Sequence, residues 1–395
     1  MTAQLALKRP APGTQSYLSS AEILDRLGRL GPLIEQEADE IDRRRQLTPR
    51  MLDALREAGA FRIAWPAAWG GPEMRLDDQI RAVASLSYFD ASVAWNVQIL
   101  SDTGFYAGHF PREVAEGLCS SMDNATAGGF YPPSRADRVE GGWRVAKGRW
   151  PFGSGIHSAD CIVCGINLYE NGEPIRDETG QIEFRVAYLP PEKVKLLDTW
   201  YTLGLRGSGS TDYEVEDVVI PDSHVFPTFA KGEDTTHLPR LSRYGQVIAV
   251  SLNGVVIGLG RRVLDDVREA LKKRSPNDRY ARINFAEAEM NYRAGKAYVM
   301  DVAKRFSDRL EADAMISDEE LAEQSLASVN CGRQIAQACR LGMELLGAST
   351  IYNRSPLERR RRDLETLLVH LSHQRRSLEV GAALLLGEND VPRMA

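Results

Sequence analysis

Five cysteines in 395 residues, an odd number with no paired spacing, exclude a disulfide-stapled scaffold and point to free thiols in a reducing cytoplasm. Cys161 and Cys164 form a C-x-x-C, but within an extended pattern, where side chains three apart face opposite sides. Core packing therefore explains them better than zinc or redox chemistry, and no metal centre is expected. Basic surplus is absent too. The net charge is −6, which removes the electrostatic case for nucleic acid. The basic runs 43–45 and 359–362 have acidic neighbours and read as solvated helix faces first, phosphate contacts second. No apolar run reaches membrane-spanning length, and the N-terminus lacks a secretory apolar region with an A-x-A site. What is present is ordinary: 43% hydrophobic and 26% charged residues, in a chain long enough for two or three domains.

The periodicity changes twice along the chain. Residues 1–18 are polar, with Pro and Gly, and are expected to be disordered. Ser19 or Ser20 then caps a helix carrying Ile23, Leu24, Leu27 and Leu30, interrupted at Gly31-Pro32. Thr48-Pro49 reads as an N-cap with Pro at the first helical position, and Gly59 as the stop. The apolar spacing predicts helix again over 77–100, with Asp90 capping its second part. A short helix follows Pro111. From 123 to 235 the period becomes two, as in Ile182, Phe184, Val186 and Tyr188, with a hairpin signal at Asn171-Gly172. From 236 to 395 the helical period returns in four long segments, the last running from Leu357 to Leu385 after Pro356. The expected organisation is an α-helical domain over 1–122, a β domain over 123–235 and a four-helix bundle over 236–395.

The stretch around which the rest is arranged is Gly141 to Gly165, GGWRVAKGRWPFGSGIHSADCIVCG. A strand alternating through Trp143 and Val145 runs into Trp150-Pro151-Phe152, then Gly153-Ser154-Gly155, and a second strand restarts at Cys161. The glycines let a planar ligand or a phosphate approach the main chain closely. The residues fit two readings: an aromatic-flanked loop facing a flat heterocycle, or a turn beside core tryptophans.

The α–β–α order resembles the acyl-CoA dehydrogenase fold, and five motifs carry the resemblance across nearly the whole chain. They are Leu55-Arg56-Glu57-Ala58-Gly59 followed by Trp65-Pro66 and Trp69-Gly70-Gly71; Gly148-Arg149-Trp150-x-Phe152-Gly153-Ser154-Gly155; Leu203 to Ser210, leading to Val219-Ile220-Pro221; Leu345 to Ser349; and Arg362-Asp363. The fold implied is α+β: N-terminal helices, a middle β-barrel or sandwich, and a C-terminal four-helix bundle.

A dehydrogenase of this fold needs a carboxylate to take the α-proton of an acyl thioester. Counting from Arg362-Asp363, the position for that Glu holds Leu371, and the Tyr before it is His370. The alternative position falls within 244–254, YGQVIAVSLNG, which has no acid. The chain is instead similar to the flavin-dependent monooxygenases built on this fold, such as hydroxyphenylacetate hydroxylase, the phenolic steroid hydroxylases, the dibenzothiophene monooxygenases and the amino-sugar nitrososynthases. The resemblance implies an oxygenase component that takes reduced FMN or FAD from a separate NAD(P)H:flavin reductase. It forms a flavin C4a-hydroperoxide with O₂ and hydroxylates an aromatic or indole-like substrate. It further implies a cytoplasmic homotetramer with no membrane partner.

In this scheme Ser154 or the Gly153 amide stabilises the oxygenated flavin, and His370 transfers a proton, with a core histidine as the rival reading and a surface His373 as back-up. Trp150, Phe152, Gly153, Ser154, Gly155 and His157 are expected at the flavin, although a strand-start surface histidine explains His157 equally. Arg274, Gly347, Ala348 and Ser349 would reach a neighbour's flavin tail, the rival readings being a dipole-compensating arginine and a plain inter-helix turn. Phe130, Tyr131 and Thr103 are expected at the substrate together with His370. Thr103 stands where the aromatic hydroxylases carry a histidine, a departure that leaves room for an indole, a polyketide or an amine. The alternatives are an N-oxygenase of an amino sugar, an acyl-CoA dehydrogenase or oxidase with a displaced base, and a flavin-free binding protein.

Overall fold

The computed structural model describes residues 17–178, 180–227, 239–274 and 278–388. The expectation for residues 1–16 therefore lies outside the described residues. Leu18, expected in the disordered leader, is instead 5% exposed and belongs to the core.

Among the described residues seven helices come first: α1 (Ser20–Gly28), α2 (Gly31–Arg44), α3 (Pro49–Ala58), α4 (Leu76–Ser87), α5 (Ala91–Leu100), α6 (Thr103–Ala107) and α7 (Arg112–Leu118). Their ends follow local chemistry. Ser19 and Glu22 form a reciprocal capping box on α1. The Thr48 hydroxyl accepts from the Met51 amide, and Gly59 stops α3 at φ 79. The Asp90 carboxylate accepts from the amides of Ser92 and Val93. Helix α5 is buried at every position except Ile99. It is apolar on all sides because it is walled on all sides, by α4, the sheet and the C-terminal helices.

Eight strands follow among the described residues: β1 (Thr126–Val139), β2 (Gly142–Gly153), β3 (Cys161–Glu170), β4 (Glu173–Pro174), β5 (Phe184–Leu189), β6 (Lys195–Leu196), β7 (Thr211–Pro221) and β8 (Val225–Phe226). They form one mixed sheet in the order β6-β7-β2-β1-β3-β5-β8, with β4 on β3. Strands β1 and β3 are parallel and the other pairings antiparallel. A register shift on β2 between Trp150 and Gly153, opposite β7, ends the regular ladder just before Ser154.

The C-terminal helices are α8 (Pro239–Val247), α9 (Asn253–Arg274), α10 (Arg279–Glu311), α11 (Asp318–Leu346), α12 (Pro356–Leu367) and α13 (Leu378–Leu385). Small residues let α9 close on its neighbours: a Cβ at Gly258 would lie 2.2 Å from the Ala84 carbonyl, and one at Gly260 2.3 Å from Ile335. The run Arg243–Lys273 is, against the expectation above, long and apolar enough to cross a membrane by length and composition, with a hydropathy of 1.6. Since 72% of that apolar window is buried inside the protein, it reads as a core helix.

The single helix expected over 357–385 is broken. After α12, His370 adopts an extended conformation (φ −66, ψ 142) and its ring nitrogen accepts from the Ser372 amide. This local side-chain bond competes with the helix and wins, and two short 3₁₀ turns follow before α13.

Candidate active site

The chain junction near Ser154 draws on three regions of the fold. Helix α5 presents Trp95, whose indole Nε1 donates to Ser154 Oγ at 2.9 Å. Ser154 Oγ lies 2.7 Å from Ser210 Oγ, which lies 2.7 Å from Ser208 Oγ. The segment after α12 presents His370, whose ring meets the Trp95 ring edge-on at 5.0 Å. Backbone bonds fix the junction: Gly155 N donates to Ser208 O, and Asn96 Nδ2 to Gly207 O. Gly155 has φ +70, and a Cβ there would meet Asn96 and Leu100 at 2.8 Å. Glycine is required here by both conformation and space.

The hydroxyl chain has a direction available to it. When Ser208 donates to Ser210 and Ser210 to Ser154, both acceptor positions of Ser154 are filled, the other by Trp95. The Ser154 O–H is then free to donate to a bound group. Ser154→Ala leaves the buried Trp95 donor without its acceptor. The expected cost is about 1–3 kcal/mol of stability, measured as a shift in urea midpoint.

The two histidines of this segment hold opposite tautomers. His370 Nδ1 accepts from the Ser372 amide, so the proton sits on Nε2, which has no partner among the described residues. His373 Nδ1 faces the Ser328 carbonyl at 3.2 Å and must donate, so its buried Nε2 carries a lone pair, again without a partner among the described residues. Burial lowers both pKa values to about 4, with His373 adding to the shift of His370. Both rings are therefore neutral at pH 7, which narrows the expected role of His370 to hydrogen-bond donor or weak base. His373, expected at the surface, is 4% exposed. Its folded pKa lies below the ordinary 6.5, so the stability it contributes is full above about 6.5 and is lost as pH falls towards 4. His373→Gln is expected to flatten that acid-side loss, read as urea midpoints between pH 7 and pH 4.

The other expected site residues divide. Trp150 is fully buried, donates to the Gly165 carbonyl and stacks on Tyr213. It is a strut of the sheet, since the inward side of β2 at that register faces the core. Phe152 is 67% exposed, edge-on to Trp200, and Tyr131 is 55% exposed, stacked on Phe184. Neither excludes water from a site within one chain. Thr103 is wholly buried and its hydroxyl serves Leu100 O, Asn124 O and Thr126 Oγ1, leaving nothing for a substrate. Phe130 is half-buried and meets Tyr106. Gly153 sits on β2 immediately before Ser154. His157 is exposed, with a pKa lowered by burial of part of its ring and by Arg45. Arg274 ends α9, and its side chain lies outside the described residues. Gly347 and Ala348 line an open depression of about 500 Å³ together with Arg340, Arg361 and Glu365. Ser349 Oγ donates to Leu346 O beside it. Along α11 Gly347 is about 28 Å from Ser328, at 1.5 Å per residue.

One candidate was missed: Asp102, in the turn between α5 and α6. Burial alone pushes its pKa up to about 8, and its carboxylate has no hydrogen-bond or ion-pair partner among the described residues. In sequence it looks like a turn residue.

Gln98 Oε1, Asn253 Oδ1 and His373 Nε2 are buried without a partner among the described residues, the first two in side chains bonded to Ser251 and Ser328 respectively. The dehydrogenase positions carry no acid: Leu371 lies in the first 3₁₀ turn, and Tyr244 is bound to Gln79.

The acyl-CoA dehydrogenase N-terminal domain model matches residues 32–113 and the C-terminal domain model residues 250–375, together more than half of the chain. The chain belongs to the acyl-CoA dehydrogenase family. Within it, the relatives group the chain with the flavin-dependent monooxygenases. It is 29% identical to indole-3-acetate monooxygenase of Pseudomonas putida, over 89% of this chain and 90% of that protein. It is 24% identical to the flavin-dependent monooxygenase oxygenase subunit HsaA of Rhodococcus jostii, over 89% and 94%. The solved structure of XiaF from a Streptomyces species, in complex with FADH2 and glycerol, superposes with a TM-score of 0.83 at 23% identity, covering 94% of this chain and 97% of that one.

Proposed function

We propose that this chain is the oxygenase component of a two-component monooxygenase acting on an aromatic or indole-like substrate, with reduced FMN or FAD delivered by a separate reductase. The observation that carries the reading is the junction of Ser154, Trp95 and His370, with Leu371 where a dehydrogenase would need its acid. Bound reduced flavin supplies two electrons and the carbon at which O₂ is activated. The overall change is balanced: substrate C–H, O₂ and reduced flavin give C–OH, water and oxidised flavin.

The protein's part is binding, orientation and protons. Ser154, its acceptor positions filled by Ser210 and Trp95, would donate its O–H to the bound ring. His370 would donate Nε2–H towards the oxygen being transferred, while His373 is held neutral by its burial. Phe130 and Tyr106 form part of the apolar wall against which a flat substrate packs. Gly347, Ala348, Ser349 and Arg274 are too far along their helices to serve the same junction. We assign them to the flavin tail of a neighbouring copy in a cytoplasmic homotetramer.

The test is a single turnover. Protein loaded with one equivalent of reduced FMN or FAD is mixed with ¹⁸O₂ and indole or a phenol, and the product is weighed by mass spectrometry. One ¹⁸O atom per product is expected. Oxidation of flavin with no labelled product from any aromatic ring, together with flavin reduction by an acyl-CoA, would favour a dehydrogenase.

A further inference from the structure

The edge-on contact between the Trp95 and His370 rings closes a circuit of buried hydrogen bonds. One turn beyond Trp95 on α5, Gln98 Nε2 donates to Ser251 Oγ at 2.8 Å. Ser251 stands in the turn Ile248–Leu252, which leads into α9 at Asn253. Asn253 Nδ2 donates to Val250 O and to Ser328 Oγ of α11, both at 2.9 Å. The Ser328 carbonyl accepts from His373 Nδ1 at 3.2 Å, and the His373 amide donates to His370 O at 3.0 Å. Gln98, Ser251, Asn253, Ser328 and His373 are all buried. Gly332, one turn along α11 from Ser328, leaves the space that the His373 ring fills. A Cβ there would lie 2.9 Å from Nδ1, 3.1 Å from Cγ and 3.2 Å from Cβ of His373. Among the described residues, the other hydrogen bonds of 371–374 stay within 369–377. A 3₁₀ turn has poorer hydrogen-bond geometry than an α-helix, so this segment owes its place to the His373 tie.

We propose that His373 is a positioning residue: its ring, pinned to Ser328 and Gly332 of α11, holds the turn that sets the His370 ring against Trp95. An apolar side chain would fill the same space without burying an unpartnered Nε2. What it could not supply is the directed bond to Ser328. That direction matters because a group acting on a reacting atom must be held to within about 0.5 Å, and a misplacement of about 1 Å costs up to about 100-fold in rate. The inference rests on the oxygenase reading for what His370 does once it is set, but the pin itself is a property of the chain without flavin.

The test has two readouts. The first is hydrogen exchange of the flavin-free chain, followed by mass spectrometry. The hydrogen-bonded amides within 370–374 are expected to exchange at least about tenfold faster in His373→Ala than in the wild type. His373→Asn places an N–H where Nδ1–H stands and is expected to stay within about threefold of the wild type. Gly332→Ala crowds the ring without removing any group. It is expected to loosen the same amides, and it carries both readouts should His373→Ala fail to fold. The second readout is single turnover with ¹⁸O₂. Product per reduced flavin is expected to fall at least about tenfold in His373→Ala, at unchanged flavin affinity, and to recover in His373→Asn. The double variant His370→Ala/His373→Ala is expected to match His370→Ala alone within about twofold, because His373 acts through His370. Unchanged exchange in His373→Ala or Gly332→Ala, or product losses that multiply in the double variant, overturns the proposal. A wild type that gives no ¹⁸O product sinks the oxygenase reading instead, and the exchange of 370–374 then decides the pin by itself.

Discussion

His370→Ala is expected to lower hydroxylated product per reduced flavin roughly 100-fold, the usual loss when one aimed donor is removed from a reacting oxygen. Flavin affinity should change by less than about threefold, because the ring contacts attributed to Ser154 and its turn are untouched. The electrons then leave as hydrogen peroxide, so oxygen consumption persists while product falls. The donor role follows from the Ser372 amide, which occupies Nδ1 and leaves the proton on Nε2. Since burial holds the His370 pKa at about 4, the wild type should show no activity limb at the ordinary histidine value of 6.5. A limb near 6.5 that disappears in His370→Ala would mean that the ring works in its charged form. His370→Asn, which restores an N–H donor, should recover part of the product. A purely structural histidine would show loss of flavin binding and of product together.

Gly204→Val is expected to cost about 3 kcal/mol or more, the largest stability effect of any substitution named here. A Cβ at Gly204 would lie 2.2 Å from the carbonyl carbon and oxygen of Arg362 and 2.5 Å from the Asp363 amide. These are backbone atoms, so relief requires α12 itself to move. The same contact is sewn by two further bonds: Leu205 N donates to Asp363 Oδ1 at 2.7 Å, and Arg362 to Leu203 O at 3.0 Å. Helix α12 leads directly into His370, so the variant should also lose coupling of oxygen to product. Gly117→Ala in α7 is the control. It has nothing within 4 Å and should be neutral or more stable by up to about 1 kcal/mol. Urea denaturation read by far-UV dichroism measures both.

How much of this was legible in the sequence depended on the range of the interaction. Caps are local, and Asp90, Thr48-Pro49 and Gly59 could be read because each acts within one turn of its own position. The Gly-Ser-Gly turn was legible for the same reason. The break at His370 was hidden by Leu364, Leu367, Leu368 and Leu371, which keep a helical spacing across it, while one ring-to-amide bond decides otherwise. Trp150 misled because alternation shows that a strand has two faces but not which face meets the ligand. Thr103 and Asp102 are adjacent, and only the packing of α6 on β1 turns the first into the sheet and leaves the second partly exposed. His373 gave no signal, since its burial depends on Ser328 and Gly332 of a helix some forty residues earlier.

The most direct measurement is a crystal structure of the protein soaked with FMN and with FAD. The isoalloxazine should lie against the turn at Ser154, its reactive edge within hydrogen-bond reach of the Ser154 hydroxyl and open towards His370. A ring bound elsewhere, or one with an Asp or Glu across its reactive face and a channel for a thioester beside it, would contradict the account.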